Sequence, residues 1–234
     1  NIFEGIKNNI YGTKILIESS IKHKINKFIL ISSDKAVRPT NIMGATKLFS
    51  ELMLQEFSSS STKKTIFATV RFGNVIDSSG SVIPLFRNQI KSGGPLTITH
   101  PDMERFFMTI SEAVNLVLEA SVIMQGGETF ILDMGKRIKI LDLAKNMIRA
   151  SGLEPKENNN NKGDIEIKIS GIRPGEKIKE ELIINGISDK TIHPLINIAR
   201  ENINVPKNFL KNINQVIYLL EKNKETEAIE IFDI

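Results

Sequence analysis

Residues 31–47 read ISSDKAVRPTNIMGATK. They close an apolar run, Phe28 to Ile31, and the chain then changes abruptly to Ser32, Ser33, Asp34 and Lys35. A short run of β-branched and aromatic residues that ends in polar ones predicts a buried strand opening into a polar site. Pro39 and Thr40 signal a helix start, and Met43 and Lys47 fall at i and i+4 on one face of that helix. A strand end bearing a carboxylate and an amine is thus followed at once by a helix bearing a second amine. Proton transfer is the chemistry these groups share.

Working outward, Ile6, Ile10, Ile17 and Ile21 recur at helical spacing before the strand. After the helix expected over 40–57, SSSSTKK at 58–64 reads as a polar loop, and TIFATVRFGNVI at 65–76 as a second buried strand. GSVIPLFRNQIKSGG predicts a helix with Pro84 in its first turn and Gly93 and Gly94 at its end, and PLTIT a short strand. A helix over Ser111 to Ile123, a strand over 129–135 and an amphipathic helix over 140–152 follow. ENNNNKG at 157–163 is of low complexity, and Ile165, Ile167 and Ile169 alternate with charges as in a half-exposed strand. Phe209, Ile213, Val216, Ile217 and Leu220 place a packing helix in the tail. Helices alternating with buried strands predict an α/β fold with a parallel sheet.

Of the 234 residues, 41% are hydrophobic, enough for a substantial core, and the net charge of +4 is mild. Lys and Arg are interspersed with acids and not clustered with aromatics, which argues against a nucleic-acid face. The absence of cysteine excludes disulfides and thiolate metal sites, and the three histidines are too dispersed for a metal cluster, so no metal is expected. No apolar run approaches the roughly 20 residues that cross a bilayer. A soluble, cytoplasmic chain is the expectation, with any anchor of a parent protein outside it.

The triplet Ser33-Asp34-Lys35, the MGATK pentad and the stretches RFGNVIDSSGSVIPLF, THPDMERFFMTISEA, ILDMGKRIKILDLAKNMI and GIRPGEKIKEELI together resemble the extended short-chain dehydrogenase/reductase family. They are most similar to the UDP-N-acetylglucosamine 4,6-dehydratases of capsule and O-antigen biosynthesis, in a branch with Met where the family usually has Tyr. The likeness runs to about His193. It implies a partial Rossmann-like, doubly wound sheet plus a smaller α/β substrate-binding lobe. The division implied is 1–80 for the nucleotide-binding part with the catalytic residues, 81–200 for the substrate lobe with a strand near 129–135 returning to the sheet, and 201–234 for a helical tail. No G-x-G-x-x-G turn follows a strand, so the chain is expected to be the second part of a longer enzyme whose opening β-α-β units precede it. Members of this branch are often anchored at the cytoplasmic face of the inner membrane.

Site residues follow from the same resemblance. Ser33, Asp34, Lys35 and Lys47 are the implied catalytic set, with Met43 at the Tyr position. Lys47 and Phe72 are implied to meet NAD. Asn74, Arg105, Arg173 and Glu176 are implied to bind the UDP-sugar. Asn9, of an NxxGT pattern, props the site or is a polar residue on an exposed helix face. Phe72 and Asn74 are also explicable as a core Phe and a turn Asn, Arg105 as a surface Arg, and RPGEK as a plain turn whose flanking charges are left unexplained.

The implied reaction removes water across C5 and C6 of a hexose. Transient oxidation at C4 by NAD acidifies C5, Lys35 takes that proton, Asp34 protonates the leaving C6 hydroxyl, and Ser33 hydrogen-bonds the C4 oxygen. A 4-epimerase on the same scaffold needs no leaving-group acid, which the 34–35 pair argues against. A catalytically silent sugar-nucleotide binding or assembly fragment is the remaining alternative. Helices matching 5–22 and 40–57 pair in dimers of the family, so a homo-oligomer is expected.

Overall fold

The computed structural model describes residues 2–59, 64–78, 80–156, 163–201, 205–222 and 224–231. Residues 60–63 of the polar loop expected at 58–64, residues 157–162 of the Asn-rich stretch and part of the tail therefore lie outside the described residues, while Ser58 and Ser59, expected in that loop, are helical. Helix α1 (Ile2–Ile6) passes through a π-helical turn (Lys7–Tyr11) into α2 (Gly12–Lys22). Strand β1 (Lys27–Ile31), a 3-10 turn (Asp34–Ala36) and helix α3 (Ile42–Ser59) follow. Asn41 starts α3, because its Oδ1 accepts the Gly44 N–H at 2.9 Å and satisfies one of the first-turn donors.

Then come β2 (Ile66–Arg71), β3 (Asn74–Val75), α4 (Val82–Lys91), β4 (Leu96–Ile98), β5 (Glu104–Arg105) and β6 (Phe107–Met108). The chain continues with α5 (Ile110–Ile123), β7 (Thr129–Leu132), β8 (Ile138–Lys139), α6 (Ile140–Ala150) and β9 (Ile167–Ile169). It ends with β10 (Ser188–Lys190), β11 (Ile196–Ala199), α7 (Phe209–Glu221) and α8 (Glu225–Glu230).

Two compact units result. The first takes in residues 1–72, 115–133 and 181–234, and the second 73–114 and 134–180. The first holds a five-stranded sheet in the order β1-β2-β7-β11-β10. β1, β2 and β7 run parallel, while β11 and β10 pair antiparallel beyond them. β2 is buried along nearly its whole length, as a parallel strand covered on both faces must be, which is why its sequence is a continuous apolar run. Ile10, Ile17, Met53, Phe67, Phe209, Ile213 and Val216 form the core here. Burial of each such side chain contributes about 1.5–3 kcal/mol. The tail helix α7 belongs to this core, and its Phe209 ring stacks on Phe49 with centroids 5.6 Å apart.

The second unit is cored by Phe86, Leu96, Ile98, Met103, Ile140, Ala144, Ile148 and Ile165. Its strands form three separate pairs, β3 with β6, β4 with β9 and β5 with β8. Ala144 and Ile148 face that core from α6 at helical spacing, one turn apart.

The strand expected over 65–76 is interrupted. After Arg71 the Phe72 carbonyl is taken by the Asp34 N–H, the Gly73 N–H turns to the Met134 sulfur, and Asn74 pairs with Phe107 in the other unit. Periodicity cannot register such a break, since both pieces are apolar and alternate alike. The strand expected over 129–135 ends at Leu132, where the Asp133 N–H bonds the Leu195 carbonyl. Among the described residues no helix is long and apolar enough to cross a membrane.

Candidate active site

The register of β1 on β2 sets the acid–base turn. Beyond Ile31 the sheet bonds continue, Ser32 N–H to Val70 O at 2.8 Å and Asp34 N–H to Phe72 O at 3.1 Å. Ser33 caps the 3-10 turn, its Oγ accepting the Lys35 N–H at 3.3 Å and donating to Asp34 Oδ1 at 2.8 Å. Lys35 Nζ donates to the same Asp34 oxygen at 2.9 Å. Three consecutive side chains therefore meet at one carboxylate oxygen. Asp34 has no exposed surface, whereas the Lys35 side chain is 26% exposed. The second carboxylate oxygen, Oδ2, is buried without a hydrogen-bond partner among the described residues. A buried acceptor left unmatched costs about 1–3 kcal/mol, a cost that calls for an explanation such as a ligand group.

Helix α3 brings the second amine. Lys47 Nζ donates to the Ile31 carbonyl at 3.1 Å, which ties the helix to the end of β1. Burial pushes the Lys47 amine below the ordinary lysine value, and the Glu51 carboxylate one turn further on pulls it part of the way back. Met43, one turn before Lys47, is 46% exposed. Gly44 packs against the acid–base turn so closely that a Cβ there would collide with the Lys35 carbonyl oxygen and press on Pro39. Asn9, on the π-helical turn, donates from Nδ2 to Thr46 Oγ1 at 2.9 Å, and Ser50 Oγ donates to the Asn9 carbonyl at 2.7 Å. Asn9 thus bonds α3 directly through its side chain, where the resemblance implied a backbone or water contact.

Behind α3 lies a buried ion triad. Arg71, the last residue of β2, donates from Nε to Glu51 Oε1 at 2.9 Å and from Nη2 to Glu51 Oε2 at 2.6 Å. Its Nη1 reaches Glu201 Oε2 at 2.8 Å. Burial alone would lower the Arg71 guanidinium, but the bonds and charges of Glu51 and Glu201 hold it above the ordinary arginine value. A cavity of about 250 Å³ lies beside the triad, lined in part by Gln55, Thr69 and Glu128. It does not include Asp34, Lys35 or Lys47, and every carboxylate oxygen of the triad already has a donor.

The first unit thus carries Ser33, Asp34, Lys35, Met43, Lys47 and the half-buried Phe72, whose carbonyl holds the Asp34 backbone. Asn74, Arg105, Arg173 and Glu176 all belong to the second unit. There Arg105, 8% exposed, donates from Nη1 to the carbonyls of Glu104 at 2.8 Å and Ile178 at 3.0 Å. Its Nη2 lies 3.7 Å from Glu176 Oε1, which also accepts from Thr99 Oγ1 at 3.1 Å. Arg173 is exposed, and its backbone N–H donates to Glu176 Oε2 at 3.2 Å. Asn74 is half-buried on β3, where its N–H donates to the Phe106 carbonyl.

Sequence reasoning passed over Asn41, Gly44, Glu51, Arg71, Thr99 and Glu201. For Glu51 and Arg71 a signal existed: a charge set within an apolar window, SELML or ATVRF, is a charge that folding must bury and pair.

A family model described as polysaccharide biosynthesis protein matches residues 1–201. The capsular polysaccharide biosynthesis protein CapD of Staphylococcus aureus is 55% identical over 194 residues, covering 83% of this chain and 30% of CapD. A UDP-glucose 4-epimerase of Rickettsia rickettsii (strain Sheila Smith) is 34% identical over 229 residues, 97% of this chain and 62% of that protein. The X-ray structure of Pen from Bacillus thuringiensis superposes with a TM-score of 0.75 at 39% identity, over 87% of this chain and 60% of Pen. The chain spans less than two thirds of the length of each of these three.

Proposed function

Because the chain belongs to the polysaccharide biosynthesis protein family, we propose that it carries the proton-transfer and sugar-nucleotide-binding part of a nucleotide-sugar 4,6-dehydratase. Its substrate on this proposal is a UDP-N-acetylhexosamine, and the product a 4-keto-6-deoxy sugar. The observation that supports it most is the convergence of Ser33 Oγ and Lys35 Nζ on one oxygen of a fully buried Asp34 whose other oxygen lacks a partner among the described residues. Elimination of water needs a base and a leaving-group acid side by side, and epimerisation needs no such acid.

NAD, when bound, would supply the hydride acceptor for C4 and the hydride donor for C6. The residues present suit its nicotinamide end. The half-buried Lys47 ammonium has three N–H donors and shows a bond from one of them, to Ile31 O, so it can also hold ribose hydroxyls, with Phe72 beside the turn. No G-x-G-x-x-G turn occurs in the sequence, so these residues fit one end of the cofactor only.

Lys35, the more accessible member of the pair, takes the C5 proton as the neutral amine. Asp34, in its protonated form, gives its proton from Oδ2 to the departing C6 hydroxyl, which leaves as water, Lys35 then returns its proton to C5, and Ser33 holds the C4 oxygen. The Met43 thioether cannot take the C4 hydroxyl proton. That proton passes to the Asp34–Lys35 pair or through water to Lys47. In the second unit, Arg105 and Arg173 serve the diphosphate, while Asn74 and Glu176 serve the sugar. Self-association of the chain and an anchor at the cytoplasmic face of a membrane elsewhere in a parent protein complete the proposal.

Incubation with UDP-N-acetylglucosamine and NAD, followed by mass spectrometry, tests it. Loss of one water is the expected result, and an unchanged mass with a new isomer would establish the epimerase reading that the Rickettsia relative suggests. Binding of UDP without binding of NAD in calorimetry, and no product, would leave only a sugar-nucleotide binding module. A monomer in light scattering would count against self-association.

A further inference from the structure

The acid–base turn and the helix that carries Lys47 are joined by a second route, made of side-chain bonds. Glu51 stands four residues after Lys47 on α3, and Arg71 grips both of its oxygens. The same Arg71 reaches Glu201, whose other oxygen accepts the Ile184 N–H at 2.7 Å. Ile184 lies in the segment that supplies Glu181 and Asn185, and both of these take the Arg38 guanidinium, at 3.3 Å and 3.0 Å. Arg38 follows Lys35 by three residues. Its φ of 44° is left-handed and immediately precedes Pro39, a place where helical backbone of either hand is disfavoured, so the loop is held in a strained conformation. The bonds thus run from α3 through Glu51, Arg71, Glu201 and residues 181–185 back to the loop after Lys35. All of these residues belong to the first unit.

Stability alone gives little reason for such an arrangement. A buried ion triad is often no more stable than an apolar one of the same volume, because three charges must be stripped of water. What a forked guanidinium bound to three carboxylate oxygens does supply is a fixed distance and angle between the segments it joins.

We propose that Arg71, acting through Glu51 and Glu201, is a positioning residue that sets the Lys47 helix against the Ser33–Lys35 turn. The claim rests on the dehydratase reading only for what the two amines do once aligned. Arg38 closes the route at the loop.

Amide hydrogen exchange on the whole chain tests this without requiring turnover. Glu201→Ala and Arg38→Ala are compared with the native chain at one common temperature well below the melting temperature of all three. Both variants are expected to raise exchange at Asp34, Ala36 and Val37 by about tenfold or more, with exchange across α4 and α6 unchanged. Exchange that rises only around Ile184, or rises everywhere in proportion to a lowered melting temperature, overturns the proposal. If Glu201→Ala does not fold, Arg38→Ala, a change at an exposed side chain, decides alone. Where the native chain dehydrates UDP-N-acetylglucosamine, both variants are expected to lower kcat at least tenfold with KM held within about twofold. An unchanged kcat overturns the proposal, whereas a native chain that releases no water overturns the dehydratase reading and leaves the exchange result standing.

Discussion

At Gly44 a single hydrogen atom separates α3 from the carbonyl of Lys35. Gly44→Ala must push the acid–base turn away from the helix, and overpacking of this kind costs about 1–3 kcal/mol. Gly5→Ala, on α1 with nothing within 4 Å, should instead gain up to about 1 kcal/mol from helix propensity. Urea midpoints of the two variants are expected to move in opposite directions. Lys47 makes a second test. Its amine, lowered by burial, is expected to titrate below 10.5 in the folded chain when followed by NMR of the lysine side chain. Glu51→Gln removes the charge that opposes the shift and should lower it further. The unfolded amine keeps its proton to higher pH than the folded one, so Lys47 makes stability rise with pH through the window between its lowered value and 10.5, and Lys47→Met should flatten that rise. The Ser33-Asp34-Lys35 cluster was legible because its members are adjacent in the chain. The triad was not, since its partners stand 20 and 130 residues apart.

Elements were read from period, and period succeeded where one face is buried. The spacing of Phe209, Ile213, Val216, Ile217 and Leu220 predicted α7; the first four enter the core together with Leu219, and Leu220 packs against it half-buried. Ile213→Ala, at 1% exposure, should therefore cost about 2–5 kcal/mol, while Tyr218→Ala on the same helix, at 57% exposure, should stay within about 0.5 kcal/mol. Chemical denaturation of the pair checks the contrast. Period failed at 65–76, where one apolar run serves β2 and then β3 in another unit. The switch is made by the bonds of Phe72 and Gly73 to Asp34 and Met134, and neither partner is near in sequence.

Over the whole molecule, two cores form from interleaved segments, one around Phe67 and Phe209 and the other around Phe86 and Ile148. Phe86→Ala should cost about 3–5 kcal/mol in the second unit. Exchange protection is expected to fall there while β1, β2 and β7 keep theirs. Strand β1, expected to be buried, lies at the sheet edge with only Leu30 buried. By itself the sequence determined the α/β class, the helices with one apolar face, the buried strand β2 and the adjacency of Ser33, Asp34 and Lys35. These depend on side chains a few residues apart, whose spacing maps directly onto a strand or helix face. The tertiary structure alone decided that β10, β11 and α7 join the sheet and core of the first unit, that Asp34 is sealed from solvent, and that Arg71 binds Glu51 and Glu201. Those outcomes depend on which distant segments meet, and a linear pattern carries no term for the geometry of that meeting.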